Sequence, residues 1–449
     1  VRDLVAMHDL IRDNHPGPVD TGNAGFRSWL DGGAAALLPQ ARAAGSLHDY
    51  QLVLRDYANG FADGHLTVRF NDQEAHVWPG FLVRADAPGA TLRVSVAEAG
   101  SGVRVGDIVA SCGGVAAQDL LRARVLRPAL NPHVPQRMRL ASTALMVADA
   151  DDPGGQWPVC VVSAGGHDRV VALHWRAIAA DALARARIAA SGIDIPRVGL
   201  RRAGDVWLVS MPSFYPETDE DTARLQGLVA AVKAHAAMLH AARHVVLDLR
   251  GNDGGDADWG FEVAAALWGN SAVQAVTAAM PSAIDWRVSA RNVAALHDRA
   301  TMLRGQGQPD AAAYFGKLGD AMDRARARAE LFMQEPADPP GPVPHLASPF
   351  AHPVYVLTTP HCASACLDFL DLLDGLPGSV RVGLETSSDT DYLEVANAAL
   401  PSGRATLRYA MKVYRTRKRG ANVSYMPAIA WPGGDMDDAS IVKWIDTLP

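Results

Sequence analysis

The sequence predicts a multi-domain α/β protein, and three observations carry that prediction. At 449 residues and 47.7 kDa the chain exceeds what one hydrophobic core usually supports, so about three domains are expected. From Trp207 onward, short apolar strand patterns alternate with helical ones, the order of βαβ units in a largely parallel sheet. Residues 78 to 178 differ: short strands there are punctuated by Gly100, Gly102, Gly106, Gly113 and Gly114, which marks a separate β-rich module.

Taken in order, residues 1 to 75 form a helical N-terminal region. Leu4, Met7 and Ile11 keep helical spacing and stop before His15-Pro16, where proline disfavours continuation. A second helix starts at Ser46, with Asp49 three residues on as a capping-box variant. After Asp63-Gly64-His65, alternation in Leu66-Thr67-Val68-Arg69-Phe70 predicts a strand. In the β-rich stretch, strands are expected at Phe81-Leu82-Val83, Leu92 to Val96, Asp107-Ile108-Val109 and Val159 to Val162. A helix is expected over Ala117 to Val125, and the stretch Asp149 to Trp157 reads as an exposed hairpin loop.

A helical connector, Ala177 to Ala190, leads into the α/β part. There the strands are Trp207 to Met211, His244 to Leu249 and Val354 to Leu357; the helices are Asp219 to His240, Phe261 to Trp268 and Cys366 to Leu373. Residues 281 to 345 interrupt this order as a helical insertion, with helices over Ala290 to Arg304 and Ala311 to Glu335. Pro336, Pro339, Pro340, Pro342 and Pro344 end it.

Composition excludes several function classes. Hydrophobic residues at 49% and charged residues at 20% are those of a globular chain. A net charge of −7 argues against a nucleic-acid binder; the densest basic stretch, Arg415 to Arg419, reads as a solvated strand or loop. No run approaches the roughly 18 apolar residues that a membrane helix needs. Cys112, Cys160, Cys362 and Cys366 are candidates for two disulfides, which suits a periplasmic or secreted protein more than a cytoplasmic one. The chain starts at Val1 and carries no signal-peptide pattern.

Two strand-turn-helix junctions carry candidate chemistry. In Leu247-Asp248-Leu249-Arg250-Gly251-Asn252-Asp253-Gly254-Gly255, glycines after a buried strand free backbone N–H groups to face an anion or a developing oxyanion. A plain tight turn is the alternative. A dinucleotide loop is disfavoured, because the spacing is not G-x-G-x-x-G and Asp253 would repel a phosphate. In Thr358-Thr359-Pro360-His361-Cys362-Ala363-Ser364-Ala365-Cys366, Ser364 sits where a strand turns into a helix. There it reads either as an exposed nucleophile beside helix amides or as an ordinary N-cap. His361, Cys362 and Cys366 lack the second ligand pair that a zinc site would show, so no metal is expected. A serine nucleophile needs a base; His65 in Asp63-Gly64-His65 stands out, while His361, three residues before the serine, lies across the turn.

Taken in order, these segments resemble the S41 serine peptidases, the family of the C-terminal processing proteases and the tricorn core. Val246 to Gly255 is similar to the family's strand-then-glycine signature, and Val354 to Leu357 with Cys362-Ala363-Ser364-Ala365 to its nucleophile turn. Val382-Gly383-Leu384-Glu385-Thr386, Leu400-Pro401-Ser402-Gly403 and Pro427 to Trp431 resemble later segments. Gly102 to Val109 with Gly113-Gly114 resembles the PDZ-like domain these enzymes carry, and Asp63-Gly64-His65-Leu66 the Asp-Gly-His-Thr element of the histidine-using branch.

The resemblance implies an N-terminal helical region over 1–75, a PDZ-like domain over 76–178, and a crotonase-like α/β catalytic domain over 190–449. It implies a serine endopeptidase with no cofactor, acting on peptides or unfolded protein. Ser364 would be the nucleophile and His65 its general base; the amides of Ala365 and of Gly254 or Gly255 would form the oxyanion hole. The lysine branch places its base where this chain has Thr386-Ser387-Ser388-Asp389, so a Ser–Lys dyad is not expected. The tricorn branch has a Glu-Asn pair where this chain has Ala421-Asn422; Asn422 is the candidate to orient His65, with Glu385 and Asp63 as alternatives. The Cys362–Cys366 pair would brace the nucleophile turn. The competing class is a non-catalytic relative that binds a peptide or hydrophobic ligand on the same scaffold.

Overall fold

The structure is a computed structural model; it describes residues 1–71, 75–85, 90–126, 138–280, 283–335, 340–342 and 345–449. The chain divides into two compact units. One comprises Val1–Glu74, Pro281–Pro339 and Asp389–Ala421; the other comprises Ala75–Met280, Pro340–Ser388 and Asn422–Pro449.

In the first unit, helices Arg2–Asn14, Ala24–Ala43 and Leu47–Asn59 are followed by the strand Thr67–Phe70. Leu4, Met7 and Ile11 are buried, as their spacing requires, and Ser46 with Asp49 forms a complete capping box. The strand Ala405–Tyr414 organises an antiparallel sheet of five strands. Along its length it pairs with Tyr392–Ala399, and it also pairs with Thr67–Phe70 and Ile284–Arg287. Helices Ala290–Gly305 and Pro309–Ala327 form the hairpin expected in the insertion. The second of them was expected to reach Glu335 but ends at Ala327. Ala329 takes a left-handed φ of 55°, and Phe332–Glu335 becomes a strand paired with Ile284–Arg287. Tertiary strand pairing overrides local helix propensity there. Of the prolines assigned to end the insertion, Pro336, Pro339 and Pro344 lie outside the described residues.

The basic stretch is a second correction. The Arg417 and Arg419 side chains are only 6% and 1% exposed and pair with Asp389 at 2.9 and 3.1 Å, while the exposed Arg415 pairs with Asp20 at 2.8 Å and Asp285 at 2.6 Å. The carboxylates that neutralise this run come from distant positions, so the sequence shows a charge run where the fold has internal ion pairs.

The second unit contains two main sheets. Residues 81–172 supply Phe81–Arg84, Arg93–Ala97, Ile108–Cys112, Val159–Ala164 and His167–Ala172, paired antiparallel in that order, with Cys112 and Cys160 joined across neighbouring strands. The helix expected to Val125 is α-helical only to Leu120 and continues as a wider π turn. The connector expected from Ala177 begins with a strand, Arg176–Ile178, paired to His76–Trp78; its helix runs Ala180–Ser191. Within the stretch read as a loop, Asp149 pairs with His76.

The other sheet has the order Gly199–Ala203, Val206–Ser210, His244–Asp248, Val354–Thr358, Ser379–Gly383 and Ile429–Ala430, parallel after the first pair. Alternate residues of its strands face two cores. Val209, Val245, Leu247, Val354 and Val356 pack with helices Asp258–Trp268 and Ala365–Leu373; Leu208, Val246, Tyr355 and Leu357 pack with helix Asp438–Ile445. Burial on both faces explains why these strands read as continuous apolar runs. Among the described residues, no helix is long and apolar enough to cross a membrane.

Candidate active site

In open parallel sheets, ligand sites form at the carboxyl ends of strands. The two junctions singled out in the sequence leave neighbouring strands at that end, since Asp248 stands opposite Leu357. The glycine loop is pinned from beneath. Arg250 is fully buried, bonds both Asp248 oxygens at 2.9 and 2.7 Å, donates to Met436 O at 2.8 Å and reaches Asp438 at 2.6 Å. Asn252 Nδ2 donates to Met211 O at 2.8 Å, and its Oδ1 accepts the Gly254 N–H at 3.0 Å.

Phe214 N–H donates to Gly254 O at 3.0 Å. Because the peptide is trans, the Gly255 N–H on the opposite side of that plane points away from Phe214. Gly254 has a φ of +105°, and a Cβ built on it would lie 2.8 Å from Ala363 O, 2.9 Å from Ser364 Cβ and 3.0 Å from Ala365 N. The loop therefore touches the serine turn backbone to backbone, which only glycine permits.

Ser364 precedes helix Ala365–Leu373 with φ 54° and ψ −126°, and its side chain makes no cap hydrogen bond. Ser364 thus occupies the N-cap position without its side chain capping the helix. A non-glycine residue in such a conformation costs about 1–3 kcal/mol, a strain typical of functional turns. Ser364 is half-buried, and Cys362 and Cys366, both fully buried, form a disulfide around it. His361 Nδ1 lies 3.3 Å from Thr359 Oγ1. Glu385 follows the next strand and accepts a hydrogen bond from Ser424 Oγ. Asn422 has a left-handed φ of 58° and begins the segment in which Tyr425 N–H donates to Thr386 Oγ1 at 2.8 Å.

His65 belongs to the first unit. It is 7% exposed, and its backbone N–H donates to Asp63 Oδ1 at 2.9 Å, closing the Asp-Gly-His turn. Thr390 Oγ1 donates to the same oxygen at 2.8 Å. The other oxygen, Oδ2, faces His15 Nε2 at 3.0 Å. His15 was not singled out by the sequence, where it served only as the residue before Pro16. Its extended backbone (φ −83°, ψ 144°) is what a following proline demands, and no local pattern pointed to Asp63.

Burial drives the His15 imidazole below its ordinary value of 6.5 against the opposing pull of Asp63. Burial would raise Asp63, but bonding to His15, the two imidazoles and the His65 amide leave it lowered. Both shifts carry the same sign in stability. The unfolded chain takes up a proton on His15 below about pH 6.5 that the fold refuses, and one on Asp63 below about pH 4. Stability is thus complete above about 6.5 and declines as pH falls. Thermal melts from pH 7 to 5 should show falling Tm, and His15→Phe should flatten that decline.

Residues 205–424 match peptidase family S41. That stretch belongs to peptidase family S41. Its fold is similar over 99% of its length to mature CPAF, with 16% identity, TM-score 0.64 and 95% of that chain covered. The same holds for a structure of mature CPAF complexed with lactacystin, at 17% identity, TM-score 0.64 and 96% coverage of that chain. At such identity the likeness is one of fold. No curated protein matches the chain.

The two disulfides of this S41 peptidase differ in what they close. Cys112–Cys160 spans a sequence separation of 48 and Cys362–Cys366 one of 4. Loop-closure entropy assigns about 4 kcal/mol to the first and about 2 kcal/mol to the second. Replacing Cys112 and Cys160 together by alanine should cause the larger loss in a urea melt. Replacing Cys362 and Cys366 should cost less stability but lower turnover, because the strained turn loses its clamp. Equal turnover in both double variants would contradict this.

Proposed function

We propose that this S41 peptidase is a serine endopeptidase that cleaves peptides or unfolded protein through an acyl-enzyme on Ser364. The observation that carries the proposal is the conformation of Ser364: strained, not capping its helix, and in backbone contact with Gly254. Ser364 Oγ attacks the scissile carbonyl while His65 accepts its proton. The tetrahedral oxyanion is held by the Ala365 amide at the helix start and by the Gly255 amide, since the Gly254 amide already serves Asn252. His65 returns the proton to the leaving amine, and water then resolves the acyl-enzyme by the same route. Asn422 is assigned as the neutral group that orients the imidazole.

We assign 1–75 to the N-terminal region that carries His65, 76–178 to a PDZ-like domain that binds an extended peptide by strand addition, and 190–449 to a crotonase-like catalytic domain with the 281–345 insertion. Two disulfides support work in an oxidising compartment, periplasmic or secreted. The test is digestion of a reduced, unfolded protein with sequencing of the new termini. Internal cleavage by the wild type, lost in both Ser364→Ala and His65→Ala, is expected. Cleavage that survives either substitution, or trimming from one end only, would refute the corresponding part.

A further inference from the structure

The Asp-Gly-His turn is backed by a buried histidine that the mechanism above does not use. Gly17 N–H donates to His15 Nδ1 at 2.9 Å, so that nitrogen carries no proton and Nε2 does. The Nε2–H donates to Asp63 Oδ2 at 3.0 Å, and the ring stacks on Phe26 at 4.6 Å. Asp63 Oδ1 accepts from Thr390 Oγ1 and from the His65 N–H. His65 Nδ1 stands 3.9 Å from that oxygen, beyond hydrogen-bond reach but well within that of its charge. The side chains of His15 and Asp63 are fully buried. Burying an ionised carboxylate is costly, and an apolar residue would serve packing alone as well or better.

We propose that Asp63 and His15 are positioning residues for His65. His15, locked in one tautomer, holds the carboxylate; the carboxylate fixes the His65 backbone and lays a negative charge beside its ring, favouring the imidazolium that forms when Ser364 attacks. The proposal rests on His65 being the general base. The ionisable groups around the chain are Asp63, His15, His65 and Asp20, the last held by Arg415 at 2.8 Å and the Tyr392 hydroxyl at 2.9 Å.

The test is kcat and KM, measured separately on an unfolded-protein substrate, for wild type, Asp63→Asn, His15→Phe, the double variant and His65→Ala. Asp63→Asn should lower kcat about 10-fold or more with KM within about threefold. His15→Phe should lower kcat in the wild-type background and add nothing in the Asp63→Asn background, since it acts through Asp63. Unchanged kcat, with only Tm reduced, would overturn the inference, as would fully additive effects. Wild-type activity in His65→Ala would instead remove the general-base reading, and this inference with it. Should a variant not fold, Thr390→Val removes one donor from the same carboxylate at nearly constant volume. The carboxylate stays ionised but is held less firmly, so kcat should fall by less than in Asp63→Asn with KM little changed, and an unchanged kcat would overturn the proposal.

Discussion

Ser364→Ala is expected to abolish peptide hydrolysis and covalent labelling by a fluorophosphonate while leaving the protein folded. Loss of the nucleophile in a serine peptidase lowers kcat by on the order of 10^6-fold. The structure adds a second, independent readout. At φ 54° and ψ −126°, Ser364 holds strain that its side chain does not offset by capping the helix. Alanine has the same Cβ and inherits the strain, so Ser364→Ala should melt close to wild type. Ser364→Gly removes the Cβ and should raise stability by about 1 kcal/mol while remaining inactive. A serine kept in that conformation only for packing would not lose labelling along this series. Labelling that persists in Ser364→Ala would remove the nucleophile assignment, and a lower Tm in Ser364→Gly would remove the strain argument.

The parts of this protein legible in the sequence are those governed by local rules. Strands His244–Asp248 and Val354–Thr358, buried on both faces, read directly from apolar runs, and Ser46 with Asp49 from their spacing. The glycine loop and the serine turn were placed because each breaks the pattern that surrounds it. The sequence could not show that Gly254 meets the Ser364 turn across 110 residues of chain, although each half was visible. His15 and the ion pairs of Asp389 with Arg417 and Arg419 depend on partners brought together by the fold, and no periodicity encodes them. The end of the helix at Ala327 was misplaced for the same reason: the partner strand Ile284–Arg287 decides the conformation of Phe332–Glu335.

Gly254→Ala should be severely damaging although it lies outside the proposed catalytic pair. Its new methyl would sit 2.8 to 3.0 Å from Ala363 O, Ser364 Cβ and Ala365 N, and its φ of +105° is a region that alanine rarely adopts. The atoms it meets belong to the backbone and Cβ of the turn and cannot rotate away, so the loop and the serine turn must separate. Either movement pulls the Ala365 and Gly255 amides apart, and loss of one oxyanion donor costs about 10²–10³ in kcat. KM should change far less, because the ground-state carbonyl depends little on those donors. Asn252→Ala is the control: it removes the side chain that holds the Gly254 amide at 3.0 Å and the Met211 carbonyl at 2.8 Å without placing any atom in the turn. It should destabilise the loop by about 1–3 kcal/mol and lower kcat less than Gly254→Ala does. If Gly254→Ala kept wild-type kcat in a folded protein, the glycine loop would have no part in the oxyanion site. If it lowered stability alone, its backbone contact with the Ser364 turn would serve packing only.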